Sequence, residues 1–184
     1  MVSTWVSGMI IKFAIPIILF VLMLDVVAAE DAVSVFLKTQ FKDPLPPKSV
    51  ATTGEVGRVC AEVLGRPYSH RDIRYWGDSE KRVWVLAAHG KHGLITAGVV
   101  VESGRILKVS VLTDREQRGR PIRSRRFLRQ FKGIGLRRSG KLDRGIDAIT
   151  GATISSTAMR KIALLALRLD GMRRSKTEKI AKDE

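Results

Sequence analysis

Cysteine is all but absent from this chain of 184 residues: Cys60 stands alone. No disulfide can form within the chain, and no Cys/His metal cluster can be assembled. Cys60 sits in an apolar pattern at helical spacing, which predicts a buried structural thiol. Histidine is scarce too, at His70, His89 and His92. His89-Gly90-Lys91-His92 has no carboxylate or cysteine beside it and reads as a solvated turn between strands. There is no Ser-His-Asp set, Walker loop or G-x-G-x-x-G, and no internal repeat, so hydrolase and nucleotidase chemistry have no support. Acidic residues are in deficit, 18 against 33 Lys and Arg, for a net charge of +15. That excess of positive charge calls for an anionic ligand, partner or surface.

Enough apolar residues remain, 45%, to build a core of ordinary size. Residues 1–29 read as a targeting segment. Lys12 precedes an apolar run, Phe13 to Leu24, that is short of the roughly 20 residues a membrane span needs. Val27-Ala28-Ala29 offers small residues for cleavage before Glu30. Two readings stand: a cleaved secretory signal, or an uncleaved anchor lengthened by Met9-Ile10-Ile11 with Lys12 snorkelling. Both predict a periplasmic or otherwise extracytoplasmic chain.

Residues 30–70 are expected to hold an amphipathic piece, Ala32 to Phe41, a linker at Asp43-Pro44-Leu45-Pro46-Pro47, and a helix over 55–65. Gly65 and Pro67 end that helix. From Arg71 the pattern turns to strands. Arg74-Tyr75-Trp76 and Arg82-Val83-Trp84-Val85-Leu86 flank a turn. Leu94–Glu102 and Arg105–Thr113 are joined by Ser103-Gly104, a two-residue hairpin signal. Trp76 and Trp84 read as core or cleft-wall residues, with stacking on an aromatic ligand as the alternative.

Residues 114–141 are crowded with Arg and Lys. Phe127, Leu128 and Phe131 recur among them at helical spacing, predicting a short amphipathic helix over 122–131. Arginine-rich stretches can bind nucleic acid. Here the aromatics point to a core, and an exported chain rarely meets nucleic acid, so no nucleic-acid partner is expected. The basic face suits an acidic protein partner or an anionic membrane surface.

A stretch of small residues follows, Asp147-Ala148-Ile149-Thr150-Gly151-Ala152-Thr153, ahead of a long apolar run. That run predicts a buried helix over 154–169, closed by Gly171 and followed by a charged, disordered tail over 171–184. Gly151 permits a positive φ or the close approach of a ligand. The hydroxyl residues mark a helix start, which is an anion site as well as a cap.

Asp147-x-x-Thr150-Gly151-Ala152-Thr153 matches D-x-x-[ST]-G-A-[ST], the signature of the FMN-binding domain family found in NqrC and RnfG subunits of membrane redox pumps and in small exported proteins. The blocks Arg74-Tyr75-Trp76, Val83-Trp84-Val85-Leu86, Ile95-Thr96-x-Gly98, Val109-x-Val111-Leu112 and Phe127-Leu128-x-Gln130-Phe131 resemble the exported members over roughly residues 32–170. The chain departs from them at Ala87-Ala88, where an acidic pair is expected, and at Arg120-Pro121, where Trp-Glu is expected. The resemblance implies an α+β fold over 71–170: an antiparallel sheet with packed helices, and the flavin at the N-terminus of the last long helix. It implies FMN as cofactor, esterified through its phosphate to Thr153 by an ApbE-type FMN transferase. Thr150, Gly151 and Ala152 would line the attachment point. Asp147 would position the motif by hydrogen bonding or through a transferase-held metal, or would simply cap a turn. Glu116 would hydrogen-bond flavin or pair with neighbouring arginines. The implied role is electron relay with a membrane-bound redox donor or acceptor. An independent enzyme is not expected.

Overall fold

The computed structural model describes residues 31–43, 45–114 and 121–183. The predicted leader, Pro44 and Glu116 lie outside them. The α+β expectation holds. Five strands form one antiparallel meander in sequential order: β1 (Lys48–Ala51), β2 (Asp72–Gly77), β3 (Lys81–His89), β4 (Leu94–Glu102) and β5 (Arg105–Thr113). Helix α1 covers 31–38. It is followed by α2 (Gly54–Leu64), the short α3 (Arg125–Arg129) and α4 (Thr153–Asp183).

β3 reads as a nearly unbroken apolar run because both of its faces are covered. Trp84, Leu86 and Ala88 face a core shared with Ile73, Val99, Val109, Phe127, Phe131, Met159, Ile162 and Leu165. Val83 faces a second, smaller core with Val33 and Phe36 of α1, Trp76, Val100 and Leu112. Helices α4 and α2 therefore cover one face and α1 the other. Successive strand residues point to opposite faces, so each face selects every second side chain. Gly98 is the point where α1 meets the sheet: a Cβ there would collide with the Phe36 ring.

The hairpin turn between β4 and β5 is the predicted one. Ser103 and Gly104 both have positive φ, 47° and 74°, as a type I′ turn requires. Gly65 takes φ 76° as the cap of α2, and its N–H donates to the Ala61 carbonyl. Cys60 is fully buried, and burial pushes its thiol up to about 11. Phe127 and Phe131 are buried in an edge-to-face pair at 5.3 Å.

Two expectations fail. No strand is predicted at Lys48–Ala51, yet this segment pairs with β2 from Lys48↔Tyr75 to Ala51↔Asp72. The prolines before it end at Pro47, so its own N–H groups are free to join the ladder. The helix stop at Gly171 also fails. Helix α4 passes through it to Asp183, so the segment read as a disordered tail is described as helix. The chain is held on both sides of the glycine. Asp170 is buried and bonds Arg82 of β3 and Arg174, each at 3.0 Å. Arg173 donates to the Tyr75 hydroxyl at 2.8 Å. A glycine inside a helix costs about 1 kcal/mol against alanine, and these contacts hold the helix across it.

Candidate flavin site

The Asp147–Thr153 loop is anchored from below and open above. Ile146 is buried before it, and Ile149 packs against the main core. Ser156, buried in the first turn of α4, accepts the Ile149 N–H on its hydroxyl at 3.1 Å. The Asp147 N–H donates to Gln130 Oε1 at 2.8 Å, tying the loop to the end of α3. Arg144 donates to the carbonyls of Gln130 and Lys132, which fixes the approach to the loop from the other side.

Gly151 lies in the left-handed region at φ 79°, and nothing stands within 4 Å of where a Cβ would project. The glycine is thus needed for backbone conformation, and the space beside it is open. The Ala152 N–H closes the turn onto the Ile149 carbonyl at 2.9 Å. Helix α4 then begins at Thr153, with no acidic residue in its first turn. Its first N–H groups lack intrahelical acceptors, and its dipole presents positive charge there.

The hydroxyls divide sharply. Thr150 and Thr153 are exposed, whereas Ser155 and Ser156 are 2% and 1% exposed. Thr157 is half-buried and accepts a bond from Arg160. A cleft of about 560 Å³ adjoins the loop, lined by Asp147, Thr150, Ser124, Arg126, Phe127 and Gln130 among others. Arg126 brings a guanidinium to this space, and Gln130 lines it while holding Asp147. Neither was singled out as a site residue from sequence. Gln130 stands in the block Phe127-Leu128-x-Gln130-Phe131, and Arg126 directly before it.

The structure brings Asp147, Thr150, Gly151, Ala152 and Thr153 together on one loop and helix start. Trp76 and Trp84 are elsewhere: Trp76 packs under α1, and Trp84 shares a cleft with Leu169 and Met172 towards the far end of α4. Both are core or cleft-wall residues, as read from sequence.

Residues 90–168 match the family model of the FMN-binding domain. Over this segment the chain is similar to that domain. The segment begins at the turn before β4 and ends within α4, so it includes the whole signature loop. FMN is the cofactor that the family match indicates. The residues present fit such a group: a cleft of about 560 Å³, open space over Gly151, an arginine in the cleft wall and a helix N-terminus with no acidic residue in its first turn. No curated protein matches the chain. Among the described residues, no helix is long and apolar enough to cross a membrane.

Proposed function

We propose that the protein is an extracytoplasmic electron carrier bearing FMN as a phosphoester on Thr153. The observation that carries this reading is the exposed Thr153 hydroxyl at the start of α4, while Ser155 and Ser156 two and three residues on are buried. Modification by a separate transferase requires an acceptor that the transferase can reach. Thr153 is exposed beside small neighbours, Gly151 and Ala152, and it matches the acceptor position of the family signature.

Esterification by a hydroxyl needs an activated flavin donor. The Thr153 oxygen forms the new P–O bond, a phosphoanhydride bond of the donor breaks, and its other half leaves with the electron pair. The threonine proton passes to solvent. Bound FMN supplies the redox chemistry. The chain's own residues would hold it: the α4 N-terminus would favour the phosphate charge, Arg126 would bring a positive charge to the cleft beside the loop, and the Gln130–Asp147 bond keeps the loop in place. Tethering suits a compartment without an FMN pool. The leader pattern of residues 1–29 and the basic surface support export and docking onto an acidic redox partner or a membrane surface.

Expression with and without an ApbE-type FMN transferase, followed by intact mass, tests the reading. A mass gain equal to esterified FMN, lost in Thr153→Ala, is the expected outcome. A gain that persists in Thr153→Ala, or none at all, would sink it. A second reading, an anchored electron-transfer subunit of an Rnf- or Nqr-like complex, follows from Met9-Ile10-Ile11 extending the leader. N-terminal sequencing of the mature protein separates the two: a start at Glu30 means a free carrier.

A further inference from the structure

A second cleft, of about 580 Å³, opens between β1, the start of α2 and the far part of α4. Along α4 it lies about 20 residues from Thr153, roughly 30 Å at 1.5 Å per residue. It therefore belongs to a different end of the molecule from the flavin loop.

Trp84 is one of its walls. This indole is fully buried and stacked on Tyr75 at 4.7 Å, yet its Nε1–H has no acceptor among the described residues. A buried Trp N–H ordinarily finds a partner, and leaving one unmade costs on the order of 1–3 kcal/mol. The start of α2 supplies a second, independent deficit. Thr53 stands at its N-cap in extended conformation, but its side chain makes no capping hydrogen bond. The first amides of this 11-residue helix thus lack that cap, with Glu55 in the same turn. Arg173 and Lys176 of α4 line the same space, against a single acid, Glu55. Arg173 spends one of its five N–H donors on Tyr75. The remaining walls include Val56, Leu169 and Met172, which are apolar.

Donors without acceptors, two cations and an apolar floor describe one chemistry. We infer that this cleft binds an amphipathic anion, with a carboxylate or phosphate head held by the α2 N-terminus, Arg173 and Lys176, and an apolar body against Trp84 and its neighbours. The inference does not rest on the flavin reading, because the two sites share no residue.

Titration calorimetry on the full chain, with and without flavin, tests it using dodecanoate, dodecyl phosphate and dodecyltrimethylammonium below their micelle concentrations. The anions should bind and the cation should not. Binding by only one anion identifies the head as carboxylate or phosphate. Trp84→Phe removes the donor and part of the apolar wall; Lys176→Glu reverses an exposed charge and leaves the core untouched. Each should weaken anion binding roughly ten-fold. If Trp84→Phe fails to fold, Lys176→Glu alone decides. No heat with either anion, equal binding of the cation, or anion affinity unmoved by Lys176→Glu overturns the proposal.

Discussion

The Ile149 N–H and the Ser156 hydroxyl close the signature loop onto the first turn of its own helix, at 3.1 Å. Ser156 is 1% exposed and Ile149 half-buried, so losing this partly buried bond leaves a backbone donor without its partner. Ser156→Ala should destabilise the protein by about 1–3 kcal/mol. If Thr153 is the acceptor, the substitution should also slow flavin attachment, because the loop that carries Thr153 loosens. Thermal denaturation and a time course of FMN incorporation check both. An unchanged rate would mean that the loop's shape is set elsewhere.

Arg82 and Asp170 join sheet to helix through a buried ion pair, with Arg174 on the second carboxylate oxygen. Removing Arg82 leaves the buried Asp170 carboxylate with Arg174 alone. Arg82→Met should therefore cost less than the about 3–5 kcal/mol of a fully unpaired buried charge, and Arg82→Met with Asp170→Leu should recover part of it. Chemical denaturation of the two variants measures the difference. The single variant should also fray α4 beyond Gly171, visible as faster amide exchange over 171–177.

The sheet was legible because its signals are local. β4 and β5 carry their apolar periods, and Ser103-Gly104 can form a tight turn with little else to choose from. β1 was hidden: four residues of KSVA have no period to read, and only pairing with β2 makes them a strand. The end of α4 was misread for the opposite reason. Gly171 is a sound local stop signal, and a contact from a residue 88 positions earlier, Arg82, overrides it. At the site, the signature residues were visible as a motif. Gln130 and Arg126 join them only through folding, since α3 approaches the loop across a gap in sequence.

Asp143 offers a pH test of the segment leading into the signature. Burial acts to raise its carboxyl, but the Gly135 N–H and the Arg105 guanidinium outweigh it and hold the pKa below the ordinary 3.8. A depressed folded pKa stabilises the protein above the unfolded value, and the contribution is lost as pH falls through the folded pKa. Asp143→Asn should therefore melt below the parent at neutral pH, and the gap should shrink as pH drops below about 3.8. Melting curves from pH 7 down to pH 2.5, on the order of one point per half unit, resolve the convergence. A gap that stays constant across this range would assign the loss to geometry instead of charge.

Gly151 separates conformational from steric demands at the flavin loop. Its φ of 79° is unfavourable for any residue with a Cβ, yet nothing lies within 4 Å of that position. Gly151→Ala should thus cost only the left-handed penalty, about 1–2 kcal/mol, with no clash inside the protein. Gly151→Asn should cost less, since asparagine tolerates that region. If the open space is where the flavin lies, both variants should lose FMN incorporation beyond what their stability predicts, and asparagine, the larger, should lose more. Pairing denaturation with incorporation yield separates the two effects. Stability and incorporation that fall together, alanine below asparagine, would show that the glycine serves the backbone turn alone and that the flavin approaches from another side of the loop.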